Sequence, residues 1–158
     1  MRGKTATKRI IPKDPLYQSR LVTKLITRSM KDGKRAVAET NIYTALELVK
    51  TKTKKDPIEV LDAAIKNISP QMEVRSRRVG GAAYQVPTPV RPNRAVSLVV
   101  RWMIIEATKR PNKEYHTFSE KLAAEIIDAA NNEGGAVQKK STMHKMADAN
   151  KAFAHFRW

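Results

Sequence analysis

Cysteine is absent from this 158-residue chain, and acidic residues are scarce, with 15 Asp and Glu against 31 Lys and Arg. Without cysteine the chain can form neither a disulfide framework nor a cysteine-ligated metal site. No apolar run approaches the ~18 residues that a membrane-spanning helix needs. The histidines follow no zinc-binding spacing, so we expect no metal site and no cofactor; they are His116, His144 and His155.

Catalytic motifs are missing from the sequence as well. Gly80-Gly81 lies in neither pattern of a phosphate-binding loop, and no nucleophile stands beside a candidate base. Several acids fall on predicted helices among cations, where we expect surface or intrahelical partners; these are Glu39, Glu47, Glu106 and Glu125. The sequence therefore indicates neither an enzyme nor a small-molecule substrate.

The excess of basic residues leaves a formal net charge of +16. A free protein gains little from such self-repulsion, whereas a polyanion relieves it, so RNA, DNA and an anionic membrane surface are the candidate partners. Apolar residues make up 41% of the chain, which argues against global disorder and predicts one domain over residues 1–158. The basic N-terminus lacks the apolar core of a signal peptide, so we expect the protein to stay in the compartment where it is made.

Helical periodicity and capping signals predict six helices. Asp56-Pro57 is typical of a helix start, Thr117 to Glu120 form a capping box, and Gly134-Gly135 separates the last two helices. Val37 and Ile105 belong to apolar stripes that we expect in the core, and the fourth helix should be central. The first three predicted helices cover residues 19–31, residues 35–50, and residue 57 to a stop at 69–70. The fourth covers residues 94–109 after an Asn93 cap, and the fifth runs from residue 118 to the break at 134–135. The sixth covers residues 136–153 and is followed by a tail to residue 158.

A β-hairpin is predicted over residues 72–90. Gly80-Gly81 can supply the positive φ angles of a two-residue turn, although a longer turn through Ala82-Ala83 is an alternative. In the two-residue register, Pro87 and Pro89 need no N–H donor and keep a third strand from joining. The fold class is thus mainly α, a six-helix body with one protruding two-stranded hairpin. The predicted strand pairs are Val79 with Ala82, Arg77 with Tyr84, Arg75 with Val86 and Val74 with Pro87.

Basic side chains concentrate on particular elements. Residues 1–15 form a flexible basic arm, which can be disordered when free and fold along a phosphate backbone when bound. The first helix carries its cations on one face, and the next turn adds two more. From Glu73 to Arg101 arginine replaces lysine, and its forked donor suits phosphate. The cations of the first helix, the hairpin and the fourth helix are Arg20, Lys24, Arg28 and Lys31; Arg75, Arg77 and Arg78; and Arg94 and Arg101.

Each of these basic surfaces also has an ordinary interpretation. The cations of the first helix could form a solvated face, and Arg77 with Tyr84 could be a simple cross-strand pair. Glu73 is the only acid between residues 73 and 101, so we expect the hairpin arginines to have almost no acidic partners. Arginines with few acids nearby, beside an aromatic ring, favour contact with nucleic acid.

Four segments together resemble the bacterial-type family of ribosomal protein seven of the small subunit. They are Met30 with Asp32-Gly33-Lys34, the run VGGAAYQVP at 79–87, Arg101-Trp102, and the run MADANKAFAHFRW at 146–158. The likeness covers essentially the whole chain, and the two long runs are specific to that family.

The resemblance implies a concrete function. It implies a six-helix body with a protruding hairpin that binds the 3′ major domain of small-subunit rRNA and nucleates assembly of the head. It also implies a hairpin near the exit-site tRNA and the mRNA path, with ribosomal proteins eleven and nine as partners, in a cytoplasmic ribosome or in an organelle stroma or matrix. The RNA contacts of the family fall here on Lys8, Arg9, Arg20, Lys24, Arg28, Lys34, Arg35, Arg75, Arg77, Arg78, Arg94 and Arg101.

Two other functions compete with this one. An architectural DNA-binding protein with a β-ribbon arm usually carries a proline or apolar wedge at the tip of the arm. The tip here is Gly80-Gly81-Ala82-Ala83, which has no wedge. An enzyme acting on RNA is disfavoured by the missing catalytic group.

Overall fold

Six α-helices and one two-stranded antiparallel sheet make up the part of the chain that the computed structural model describes, residue 3 and residues 9–156. The predicted fold class, a mainly α body with one hairpin, is confirmed. The elements in chain order are α1 (Arg20–Ser29), α2 (Arg35–Thr53), α3 (Pro57–Ile68), β1 (Met72–Val79), β2 (Ala82–Pro89), α4 (Pro92–Lys109), α5 (Phe118–Ala130), α6 (Gly135–Ala149) and a 3-10 helix (Lys151–Phe156).

Several helix ends lie where the capping residues predict them. The Asp56 side chain accepts the Ile58 N–H at 3.0 Å at the start of α3, and Thr117 with Glu120 forms the predicted capping box of α5. The predicted start of α4 is wrong, because Arg91 rather than Asn93 is its N-cap residue and Pro92 occupies the first turn. Proline suits that turn, since its φ is already helical and its missing N–H has no helical partner there.

Two other boundaries also differ from the prediction. The segment after residue 50 continues α2 to Thr53 instead of forming a loop, and the helix ends at Lys54 with a left-handed φ of 55°. The α-helical part of α6 ends at Ala149, and the chain then tightens into the 3-10 helix.

The apolar core lies where α5 packs against α2, α3 and α4. α4 contacts α1, α3, α5 and α6, which confirms its predicted central place. Val37 and Ile105 are 58% and 42% exposed, so their predicted place in the core is wrong. The buried stripe of α2 begins one residue later, at Ala38, and one residue turns a helix by about 100°. The largest fully buried apolar side chains are Leu25, Ile26, Ile42, Leu46, Leu61, Ile68, Met103, Leu122 and Ile126.

The hairpin has the predicted register. Gly80 and Gly81 have φ angles of 57° and 88°, as a two-residue turn with two left-handed positions requires, so the longer turn is excluded. β1 packs against α6, and β2 packs against the 3-10 helix. The confirmed pairs include Val79 with Ala82, Arg77 with Tyr84, Arg75 with Val86 and Val74 with Pro87.

A buried ionic network joins the end of α4 to α5 and α6. Arg110 donates to Glu125 Oε2 from Nη2 at 2.7 Å and from Nε at 3.0 Å, and it also pairs with Asp128. The other oxygen of Glu125 accepts the Ala136 N–H at 2.8 Å, at the start of α6. Glu125 is only 1% exposed. The expectation that it is a surface or intrahelical partner is therefore wrong, because its partners lie at the end of α4 and in α6.

The two glycines at the start of α6 allow this helix to approach Glu125 closely. Gly134 has a φ of 90°, and a Cβ there would lie 3.2 Å from Asp128 Cβ and 3.2 Å from Glu125 Oε1. A Cβ on Gly135 would lie 2.9 Å from Glu106 Oε2. The Gly134-Gly135 break is thus needed for α6 to reach Glu125.

The N-terminal arm is joined to the helical body at Asp14, which is 2% exposed. Its Oδ2 accepts the N–H groups of Leu16 and Tyr17 at 3.1 and 3.0 Å, and its Oδ1 accepts the Tyr43 hydroxyl at 2.8 Å. Thr23 of α1 also donates to the Pro12 carbonyl at 3.0 Å. These bonds fix the end of the arm against α1 and α2.

We predict that Glu125→Gln lowers the free energy of unfolding by about 2–3 kcal/mol, because Arg110 would lose a buried charged partner. Chemical denaturation measures the change. Glu47→Gln is the matched control, since Glu47 is exposed on α2, and it should change stability by less than about 0.5 kcal/mol. Equal stabilities of the two variants would contradict a structural role for Glu125.

We also predict a pH-dependent contribution from Tyr43. Burial, followed by the hydrogen bond to Asp14 and its negative charge, raises the pKa of the Tyr43 phenol from 10.0 to about 12. The folded state therefore holds the phenol proton more tightly than the unfolded state, so the contribution is complete below pH 10 and is lost between pH 10 and 12.

The measurement is the difference in unfolding free energy between the wild type and Tyr43→Phe from pH 9 to pH 12. We expect about 1–2 kcal/mol in favour of the wild type at pH 9, shrinking as pH rises. Tyr84→Phe, which keeps the Tyr43–Asp14 bond, should follow the wild-type profile. A difference that stays constant over this range would contradict the assignment.

Candidate nucleic-acid interface

Arg20, Lys24 and Arg28 share one face of α1, as predicted, but Lys31, predicted on the same helix, lies beyond its end at Ser29. Arg20 and Arg28 are exposed and Lys24 is half-buried, whereas the opposite face buries Val22 and Leu25 in the core. Arg9 is exposed on the arm that Asp14 joins to the body. The predicted contact at Lys8 lies outside the described residues.

The turn between α1 and α2 adds two exposed cations, Lys34 and Arg35. Asp32 and Gly33 take left-handed φ angles of 51° and 72°, which reverse the chain sharply. Arg35 donates from Nε to Glu39 Oε1 at 2.7 Å, one helical turn away. Water screens an exposed pair of this kind, so it stabilises the protein little and Arg35 can exchange Glu39 for phosphate at small cost.

The hairpin presents cations on both of its faces. Arg75 and Arg77 point to one face and Arg78 to the other, because side chains alternate along a strand. Arg75 and Arg78 are exposed, whereas Arg77 is half-buried. Arg78 therefore faces solvent on the side away from Tyr84.

Tyr84 lies against the C-terminal 3-10 helix. Its ring centroid is 5.2 Å from that of Phe153 and 5.3 Å from that of Phe156, in tilted arrangements. Such aromatic pairs stabilise a contact by about 0.5–1.5 kcal/mol each beyond the area they bury. Packing within the protein thus accounts for this ring, and the predicted contact of Tyr84 with RNA stays a prediction.

A buried carboxylate lies at the base of the hairpin. Glu73 is 4% exposed, and its Oε1 accepts Arg75 Nε at 2.6 Å while its Oε2 accepts Arg94 Nε at 3.1 Å. The expectation that the hairpin arginines have almost no acidic partners is therefore wrong for Arg75, and Arg94 of α4 shares the same acid. One acid serves both, because the end of the hairpin and the start of α4 meet there.

The Glu73 carboxyl is ionised at neutral pH. Burial acts to raise its pKa, but the hydrogen bonds and charges of Arg75 and Arg94 together outweigh burial and hold the pKa below its ordinary value of 4.5. The carboxylate consequently accepts from both arginines throughout the physiological range.

Arg101 lies two turns after Arg94 on α4 and is half-buried. Among the residues that the structure describes, its Nε has no hydrogen-bond partner although the atom is buried. A buried donor without a partner costs about 1–3 kcal/mol. An acceptor outside the chain, such as a phosphate or base oxygen, would remove that cost.

Two surface grooves add residues that the sequence analysis did not choose. One, of about 420 Å³, has an apolar floor that includes Val37 and Phe118, with Lys31, Lys34 and Lys121 among its lining residues. Lys121 belongs to α5 and is only 8% exposed, and its Nζ donates to Asn112 Oδ1 at 2.6 Å. No pattern along the chain marks Lys121, because only the packing of α5 beside α2 and α4 brings it to the groove.

The second groove, which we call the hairpin-base groove, has a volume of about 450 Å³. Arg91 is one of its three arginines and was not chosen from the sequence, although its place directly before Pro92 could have marked the start of α4 beside the strand end. Its lining residues are Arg75, Thr88, Pro89, Val90, Arg91 and Arg94.

Two other features are absent from the described part of the chain. No group of three His, Asp or Glu side chains there is arranged to hold a metal ion. Likewise, no helix within residues 9–156 is both long enough and apolar enough to cross a bilayer.

Comparison with known proteins gives one consistent result. A sequence model described as ribosomal protein S7p/S5e matches residues 1–151. The chain is 54% identical over 157 residues to the small ribosomal subunit protein uS7 of Heliobacterium modesticaldum, covering 99% of this chain and 98% of the relative. It is 52% identical, with the same coverage, to the uS7 protein of Caldicellulosiruptor saccharolyticus. A third relative, uS7 of Moorella thermoacetica, is 54% identical over 96% of this chain and 95% of its own length.

Proposed function

Because the chain belongs to the ribosomal protein S7p/S5e family of the small ribosomal subunit, we propose that it binds the 3′ major domain of the small-subunit rRNA and nucleates assembly of the head. The proteins of this family are structural parts of the ribosome rather than enzymes. The mechanism is neutralisation of phosphate charge together with recognition of folded RNA shape, without turnover.

The observation that carries this proposal is the division of charge between the surface and the interior. The buried carboxylates among the described residues are Asp14, Glu73 and Glu125, and each accepts hydrogen bonds from the protein itself. On the arm, α1, the following turn, the hairpin and the start of α4, exposed cations predominate, and Asp32 is the only exposed acid among the described residues of these segments. The exposed residues among the predicted RNA contacts are Arg9, Arg20, Arg28, Lys34, Arg35, Arg75, Arg78 and Arg94.

The hairpin is the element that we propose lies closest to the tRNA and mRNA bound by the ribosome. Prolines on β2 keep it two-stranded, so it can extend from the body between neighbouring molecules. In this proposal it lies near the exit-site tRNA and the mRNA path, beside ribosomal protein eleven, with ribosomal protein nine as a further neighbour. The half-buried Arg77, the exposed Arg78 and Tyr84 are its proposed contact residues, and Lys24 and Arg101 complete the set on the body.

We predict that the protein binds a folded fragment of the 3′ major domain at least tenfold more tightly than an unstructured RNA of equal length, because its cations are fixed on a rigid scaffold. Filter binding at fixed salt measures both affinities. A duplex DNA of equal length is the third ligand, and it tests for an architectural DNA-binding protein. Equal affinities for the two RNAs would contradict specific recognition of rRNA, and a preference for the duplex would favour DNA.

We further predict that Arg78→Ala weakens binding to the same fragment. It should also make the negative slope of log K against log salt less steep by roughly 0.7–0.9, the value for one lost phosphate contact. Lys66→Ala, which removes an exposed cation from α3, is the matched control and should leave the slope unchanged. An unaltered slope for Arg78→Ala would assign this residue to solvent or to a protein neighbour.

A further inference from the structure

Glu73 is an unexpected residue at the centre of an arginine-rich surface. It is the only acid between residues 63 and 105, and it subtracts charge where six arginines suggest a polyanion. It is also buried, and burying an ion pair usually stabilises a protein less than apolar packing of the same volume. Stability alone therefore gives a weak account of this carboxylate.

The geometry around Glu73 joins two separate elements. Arg75 comes from β1 and Arg94 from α4, and each donates its Nε to a different oxygen of the same carboxylate. We call these three residues the Glu73 cluster. The two arginine side chains remain 56% and 44% exposed although the carboxylate is not.

The exposed parts of both guanidinium groups border one cavity. Arg75 and Arg94 line the hairpin-base groove, and Arg91 lines it between them. A guanidinium has five N–H donors in a rigid plane, and the carboxylate engages only some of them. The remaining donors suit the oxygens of a phosphodiester, which accept from such a fork in pairs.

We propose that Glu73 is a positioning residue that holds Arg75 and Arg94 in one fixed arrangement, so that both bind the phosphate backbone of rRNA at the hairpin-base groove as a unit. This inference rests on the proposed function. The physical reason is entropy: a free arginine side chain loses rotamer freedom when a ligand fixes it, and here folding restricts two of them before RNA arrives. Glu73 also ties the hairpin to α4, so the phosphate contacts keep their spacing.

Glu73→Gln tests the proposal, because a charge effect and a positioning effect have opposite signs. The variant raises the net charge of the protein by one, so charge alone predicts tighter binding of RNA. Loss of positioning predicts weaker binding of the folded fragment of the 3′ major domain, by about tenfold, as for one charged hydrogen bond. Glu133→Gln is the control with the same charge change, since Glu133 is exposed beyond α5, and it should bind the fragment at least as tightly as the wild type.

A double-mutant cycle separates positioning from damage to the fold. In the Arg94→Ala background, Glu73→Gln should lose most of its effect, because only one arginine is left to position. Arg94→Lys keeps the charge but removes the Nε donor, so it should weaken binding as much as Glu73→Gln does. Circular dichroism and thermal melting establish whether each variant is folded. If Glu73→Gln does not fold, the binding affinity of Arg94→Lys is the test of the proposal.

The outcomes distinguish this inference from the proposed function. If the wild type does not prefer the folded rRNA fragment to unstructured RNA, the proposed function fails. If the wild type shows that preference but folded Glu73→Gln and Arg94→Lys bind the fragment as tightly as the wild type, the positioning role alone is overturned. Weaker binding by both variants, without a further loss when they are combined, supports it.

Discussion

Three junctions between parts of this molecule depend on a buried carboxylate that accepts hydrogen bonds from two segments of the chain. Asp14 joins the arm to α2, Glu73 joins the hairpin to α4, and Glu125 joins the end of α4 to α5 and α6. The chain has about twice as many basic as acidic residues, and Glu73 and Glu125 accept from arginines, whereas Asp14 accepts from two backbone N–H groups and a tyrosine hydroxyl. Their burial is tolerated because both oxygens of each one are paired.

The same arrangement explains how a protein with so many basic residues can hold the elements that carry them in defined positions. Acids placed inside the molecule neutralise few of the exposed cations, yet they fix the elements that carry them. The arm, the hairpin and the start of α4 thus keep defined positions on the helical body. For an RNA-binding member of a ribosomal protein family, such fixed spacing matters because folded RNA is recognised by the shape of its backbone.

Aromatic packing gives the hairpin a second attachment, separate from Glu73. Tyr84 contacts Phe153 and Phe156, so the C-terminal 3-10 helix supports the middle of β2 while Glu73 holds the base of the hairpin. A two-stranded ribbon alone is only marginally stable in water. Contact at two levels lets it project from the body and remain ordered.

Much of the fold follows from local signals in the sequence. The six helices, the capping box at Thr117, the start at Asp56-Pro57 and the hairpin turn at Gly80-Gly81 are all set by neighbours within a few residues. The cationic face of α1 also follows from local spacing. The partners of Glu73 and Glu125, the ring contacts of Tyr84 and the exposure of Val37 could not be predicted in this way. Apart from Arg75, which is two residues from Glu73, they depend on residues 11 to 72 positions away or on which helix covers a face.

The sequence by itself therefore determined the excess of basic charge, the order of the elements and the register of the hairpin, because charge, capping and turn chemistry are properties of short segments. Only the tertiary structure decided which cations are held by acids and which remain exposed. That choice depends on how closely the elements pack, and a carboxylate finds its donors through space rather than along the chain.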